Sequence, residues 1–225
     1  MEQGTDRRLI ILAVFAVVAI AVVAAILISR GSGSDSSAST GSGGACKEVE
    51  QPKPKHVSLK APRQTVKKGE KLTAVVETSC GSFDIALDSR RAPKTVNSFA
   101  YLSKKGFYDD LTFHRIVPGF VIQGGDPLGN GLGGPGYSVT EKPPPNLSYT
   151  KGTVAMAKGS TDPPGRSGSQ FFVVTGADAG LPPEYALVGK VKKGYSAVKQ
   201  IEKLGTPSEK PKRPVLIERV RIEKG

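Results

Sequence analysis

Arg115 and Gln123 are the two side chains in this sequence best placed to act on a neutral substrate, because almost all their neighbours are apolar. They lie in the run Phe113-His114-Arg115-Ile116-Val117-Pro118-Gly119-Phe120-Val121-Ile122-Gln123-Gly124-Gly125-Asp126. In an extended chain the side chains alternate between faces, which would put Phe113 and Arg115 on the same side. The Pro118-Gly119 turn then resets the phase before Phe120 and Val121. One guanidinium and one carboxamide beside an apolar patch suit a dry, uncharged ligand.

A second run adds a carboxamide and two more rings. It comprises Gly152-Thr153-Val154-Ala155-Met156-Ala157-Lys158-Gly159 followed by Ser167-Gly168-Ser169-Gln170-Phe171-Phe172-Val173-Val174. Together the two runs resemble the cyclophilin family of peptidyl-prolyl cis/trans isomerases, in the family's order and at about its separation. Ala92-Pro93-Lys94-Thr95-Val96-Asn97-Ser98-Phe99, Gly106-Phe107-Tyr108 and Leu187-Val188-Gly189-Lys190-Val191 extend the resemblance, which runs from about Leu72 to Ile222.

The resemblance implies an enzyme for X-Pro bonds that needs neither metal nor organic cofactor. Such bonds rotate in tens of seconds or more unaided, over a barrier of ~18–20 kcal/mol. A catalyst can hold the proline ring in an apolar slot, exclude water and set a fixed cation where the twisted amide's nitrogen lone pair develops. By resemblance Arg115 would be that cation, and Gln123 would orient it or bond the substrate. Gln170 would fix the peptide backbone, and Phe113, Phe120, Val121, Phe172 and Leu181 would form or border the proline pocket. Ala157, Lys158 and Gly159 would offer backbone groups, and Tyr185 would complete the rim.

Three positions depart from the family pattern. Gly180 stands where relatives often carry a tryptophan or phenylalanine, and the chain has no tryptophan at all. Tyr185 replaces a frequent histidine, and Lys158 a frequent asparagine, the latter being of little consequence if only its main chain is used. Gly180 and Tyr185 motivate a reading of another class, a non-catalytic module that grips proline-containing segments, or an adaptor at a membrane.

The elements that must position these residues are many short strands and two helices. Leu72 to Thr78 and Phe83 to Leu87 read as a hairpin around Ser79-Cys80-Gly81-Ser82. Further strands are expected at Leu111 to Ile116, Phe120 to Gln123, Thr153 to Ala157, Gln170 to Thr175, Ala186 to Lys192 and Val215 to Ile222. Ala92 to Lys105, with Pro93 in its first turn and Gly106 as stop, reads as a helix, and so does Ser196 to Leu204. This pattern predicts a mainly β barrel or sandwich. The resemblance selects a closed eight-stranded antiparallel barrel capped by two α-helices, over residues 71–225.

The N-terminus has a different composition. Residues 9–28 form an uninterrupted apolar run of 20, enough to cross a ~30 Å hydrocarbon layer as a helix. Arg7 and Arg8 precede it, so residues 1–8 are expected on the cytoplasmic side and the rest outside a cell membrane, as a single-pass protein. A cleaved signal peptide is the competing reading. Residues 29–70 read as a flexible linker, rich in Gly and Ser to residue 44 and then in Lys, Pro and Glu, with one edge strand near Val57 to Leu59.

The two cysteines, Cys46 and Cys80, leave three readings open: a disulfide closing a loop of about 35 residues, two free thiols, or lipidation of Cys46. The formal net charge is +12, but the basic residues are scattered apart from Lys210-Pro211-Lys212-Arg213. A solvated surface facing anionic lipid or wall polymer is expected, with no nucleic-acid partner, and a monomer. Gly129-Asn130-Gly131-Leu132-Gly133-Gly134 matches a dinucleotide-binding string, yet Pro135-Gly136 follows it where a helix is required. His114 lacks the partners of a metal site or a catalytic triad.

Overall fold

A computed structural model of the chain describes residues 45–225. The apolar run 9–28, with residues 1–8 and 29–44, lies outside the described residues. Among the described residues no helix is long and apolar enough to cross a membrane.

Strands β1 (Leu72–Thr78) and β2 (Gly81–Leu87) form the expected hairpin, pairing Val76 with Phe83 and Ala74 with Ile85. Their alternation sends Ala74, Val76, Phe83 and Ile85 inward, each at most 1% exposed. The chain continues through α1 (Pro93–Lys104), β3 (Leu111–Thr112), β4 (Arg115–Val117), β5 (Val121–Gly124) and β6 (Val139–Thr140). There follow β7 (Thr153–Met156), β8 (Arg166–Ser167), β9 (Phe171–Val174), β10 (Leu187–Lys193), α2 (Tyr195–Glu202) and β11 (Leu216–Lys224). Strands β6 and β8 pair apart from the rest, and the other nine form one antiparallel sheet in the order β3-β11-β1-β2-β10-β7-β9-β5-β4.

The two ends of that order, β3 and β4, are separated along the chain by only Phe113 and His114. The sheet must therefore curl until its edges approach each other at this corner. The expected closed eight-stranded ladder is thus corrected to a curled nine-stranded sheet, because Leu111 to Ile116 is two strands and not one. The reason is parity. Phe113 and Ile116 both point into the core with no exposed surface, and an odd separation of three residues cannot place two side chains on one face of a continuous pleat. An isolated bridge from Thr112 to Asp126 holds the corner.

Helix α1 starts with Pro93 and has no side-chain cap of its own. Glu141 takes that role, accepting from the backbone N–H groups of Lys94 at 3.1 Å and Thr95 at 2.7 Å. The helix contributes Val96, Phe99 and Leu102 to the interior, and α2 contributes Val198 and Ile201.

Residues 45–70 correct a second expectation. They form no strand, and they are not a solvated tail. Asn97 of α1 accepts from the backbone of Thr65 at 2.8 Å and Val66 at 3.0 Å and donates to Arg63. Upstream, Lys55 N–H donates to Pro127 O and Leu59 N–H to Pro135 O, both at 2.7 Å. Cys46 is disulfide-bonded to Cys80 beside the β1–β2 turn. The segment is a strap fastened along the domain.

Candidate active site

Strands β7 and β9 are buried along their whole length, and β5 nearly so. Alternate residues divide between two clusters. Ile122, Val154, Met156, Phe171 and Val173 belong to the interior. Val121, Ala155, Phe172 and Val174 belong to an outer cluster with Tyr149, against which Phe120, Ala157, Leu181 and Tyr185 pack half-buried. The double burial explains why these strands read as unbroken apolar runs.

Strand register builds the site on this outer face. Arg115 pairs with Gln123 across β4–β5, Gln123 with Phe172 across β5–β9, and Phe172 with Ala155 across β9–β7. The four residues form one cross-strand row, running from charged to apolar. Val117, Val121 and Val174 form the next row.

A continuous hydrogen-bond chain fixes the polar end. Arg115 donates from Nε to Glu209 at 2.7 Å and from Nη1 to Gln123 Oε1 at 3.3 Å. Gln123 Nε2 donates to Gln170 Oε1 at 3.1 Å, and Gln170 Nε2 donates to the carbonyls of Gly131 and Gly133. Those carbonyls belong to the glycine-rich loop, which is wound around Asp126: its buried carboxylate accepts from the N–H groups of Leu128, Asn130 and Gly131. Gly125 makes this turn possible, since it has φ +83° and an added Cβ would lie 2.7 Å from Ser169 O. Gln170, expected to hold a peptide backbone, thus has its carboxamide already engaged within the protein.

Arg115 keeps three of its five N–H donors without a protein partner among the described residues. Its guanidinium carbon lies 5.8 Å from the centre of the Phe120 ring. Arg115 also borders a cleft of about 650 Å³, lined by Thr112, Gln123, Asn130, Glu209 and Lys210 among others. The pair with Arg115 holds the Glu209 carboxyl below its usual range, chiefly through the hydrogen bond.

The apolar end is an aromatic trio. Phe172 meets Tyr185 edge-on at 5.5 Å and Tyr149 at 6.3 Å, and the two tyrosines are perpendicular at 5.9 Å. Tyr149 also sets the rim, donating from its hydroxyl to Tyr185 O at 2.6 Å and accepting from Tyr185 N–H at 2.9 Å. Burial pushes that hydroxyl up to about 12, against the lowering effect of the Tyr185 hydrogen bond. Gly180 has φ +60°, and a Cβ added there would meet nothing within 4 Å, so no side chain closes the rim at this position.

Two residues differ from their expected surroundings. Phe113 does not share a face with Arg115: it is fully buried inside the sheet, edge-on to Phe171 at 6.1 Å. Lys158 contributes more than backbone, for its side chain is 7% exposed and pairs with Glu184 at 3.3 Å. It also donates to Asp162 O at 3.1 Å and stands 5.8 Å from the Tyr185 ring centre, which ties the turn after β7 to the rim. Gly159, on that turn, is exposed. Burial lowers the pKa of His114, and both its ring nitrogens lack partners among the described residues.

Sequence reasoning missed Tyr149, Glu184 and Glu209. Tyr149 stands between a glycosylation-like Asn146-Leu147-Ser148 and a turn, and Glu209 lies in a loop 94 positions from Arg115. No periodicity or motif marks any of them.

The family described as cyclophilin type peptidyl-prolyl cis-trans isomerase/CLD matches residues 73–222. Peptidyl-prolyl cis-trans isomerase-like 1 of Gibberella zeae is 38% identical over 153 residues, covering 66% of this chain and 93% of that protein. Peptidyl-prolyl cis-trans isomerase B of Streptomyces anulatus is 37% identical over 175 residues, covering 68% and 98%. A crystal structure of a Cryptosporidium parvum cyclophilin type isomerase, determined in the presence of the dipeptide Ala-Pro, has a TM-score of 0.63 at 32% identity. It is covered over 99% of its length by 68% of this chain. With the family match, these relatives and the shared fold in agreement, the chain belongs to the cyclophilin-type peptidyl-prolyl cis-trans isomerases and is an enzyme of that activity.

Proposed function

We propose that the outer face of β4, β5 and β9 binds a proline-containing segment and that Arg115 lowers the barrier to rotation of its X-Pro bond. The proline ring would rest on Phe120, Val121 and Phe172, bordered by Leu181 and Tyr185. The unengaged Arg115 donors would then meet the amide nitrogen, whose lone pair becomes available only as resonance is lost. A hydrogen bond from a guanidinium to the twisted amide nitrogen requires no proton transfer and no covalent bond. The Ala-Pro dipeptide present with the Cryptosporidium relative is a ligand of the size this surface would take.

The observation that carries this reading is the cross-strand row, in which one cation with spare donors adjoins a patch of aliphatic and aromatic side chains. Arg115→Ala should lower kcat/KM on a short X-Pro peptide by at least about tenfold, equivalent to ~1.4 kcal/mol of transition-state stabilisation. Unchanged turnover would reject the role.

We further propose that the substrates are exported or cell-envelope proteins and that the domain works outside a membrane in which residues 9–28 anchor it. Two features support this: the 20-residue apolar run, and a disulfide between Cys46 and Cys80 of the kind that persists in oxidising compartments. Protease added to intact cells should remove the domain. Full protection until lysis would contradict this placement.

A further inference from the structure

We infer that Glu209 is a positioning residue for the isomerase reaction, acting through Arg115, on which the inference therefore rests. Three observations converge on it. Its carboxylate accepts the Nε–H of Arg115 at 2.7 Å, the shorter of the two bonds that hold the guanidinium. Its backbone carbonyl accepts the N–H of Ile116 at 2.8 Å, so the same residue grips the strand beside Arg115 as well as the side chain itself. And it adopts φ +64°, a left-handed conformation shared among the described non-glycine residues only by Asp110.

The third observation separates function from stability. A left-handed backbone is costly for a residue with an ordinary side chain, and glycine or asparagine would occupy it at less cost. The carboxylate is half exposed, and exposed ion pairs contribute little to folding. A glutamate there is therefore a poor choice for the fold alone. Its side chain does what neither glycine nor asparagine can, reaching Nε so that, with Gln123 on Nη1, the guanidinium is held from two directions beside Phe120. A fixed donor needs no reorganisation when the amide twists. The loop is braced for this purpose: Glu209 N–H donates to Thr206 O at 2.9 Å, and the Thr206 hydroxyl donates to Lys210 O at 2.7 Å.

Glu209→Asn in the full-length chain tests the inference, because asparagine tolerates the backbone but is too short to hold Nε. The expected result is an unchanged or higher unfolding midpoint together with a fall of about fivefold in kcat/KM, the rate equivalent of an exposed ion pair at the upper end of its range. The Nε–H resonance of Arg115 should lose its protection from solvent exchange. In an Arg115→Ala background the same substitution should change the rate no further. Unchanged or faster turnover for Glu209→Asn would overturn the inference, and so would an equal loss in the Arg115→Ala background. If Arg115→Ala alone left the rate intact, the role of Arg115 itself would fail, an outcome distinct from either of these.

Discussion

Strands β5, β7 and β9 bury both faces, yet the two faces differ in what covers them. The inner face meets α1, α2 and the opposite side of the curled sheet, and its residues are sealed: Phe171 has no exposed surface and lies against Phe99, Tyr108 and Phe113. The outer face is covered by residues from loops, among them Tyr149, Leu181 and Tyr185, and it ends at an arginine whose side chain is one-third exposed. Adjacent residues of one strand therefore serve different ends. The inner one holds the fold, and the outer one packs beneath the loop residues at the proposed proline site.

Neighbouring phenylalanines give the sharpest way to break this contrast. Phe171→Ala should cost about 3–5 kcal/mol of stability, because a cavity in a sealed core relaxes only partly. Phe172→Ala should cost less, about 2 kcal/mol, while kcat/KM per folded molecule falls by tenfold or more. Chemical denaturation and peptide turnover measured on both variants check the pair. Equal stability losses with equal activity would erase the distinction between the faces.

The strap offers the next largest effect. Replacing Cys46 and Cys80 together by serine, or reducing them, should lower stability by at most about 3–4 kcal/mol, since the bond closes a loop of 34 positions. Turnover of the remaining folded protein should be little changed, because neither cysteine touches the outer face. An unchanged unfolding midpoint would mean that Asn97 and the backbone bonds secure the strap by themselves.

A smaller effect belongs to Tyr149. Tyr149→Phe leaves the Tyr185 N–H and carbonyl without their shared partner and should cost about 1–3 kcal/mol, with a loosened rim and a few-fold lower kcat/KM. It also has a pH signature. The hydroxyl titrates at about 12 in the folded chain against 10.0 ordinarily, so the unfolded chain releases its proton first. The contribution of Tyr149 to stability is level below pH 10 and declines between about 10 and 12, and Tyr108, raised for the same reason, adds to the decline. Thermal melts across that range should show a shallower fall for Tyr149→Phe than for the parent.

Much of the inner face was legible in the sequence because it depends on period and parity. The hairpin β1–β2, helix α1 with Pro93 first, and the two motif runs all carry local signals. The break between β3 and β4 was not legible, since it follows from Phe113 and Ile116 both being needed inside, a tertiary demand that no local propensity registers. The strap was misread for a related reason: Lys, Pro and Glu describe a solvated chain, while its attachments are scattered backbone bonds, the Asn97 side chain, the Cys46–Cys80 disulfide and the buried Val66. On the outer face, Arg115, Gln123 and Phe172 came from the motifs, whereas Glu209 and Tyr149 reach the same surface from distant loops. Their partners are set by the closure of the sheet.

The most direct test is exchange spectroscopy on a labelled X-Pro peptide, with the parent chain and with Arg115→Ala, because it reads binding and interconversion separately. The parent should speed cis/trans exchange, and the variant should still broaden the peptide signals by binding while exchange slows by at least about tenfold. Exchange at the parental rate in Arg115→Ala would contradict the assignment of the guanidinium to the twisting amide.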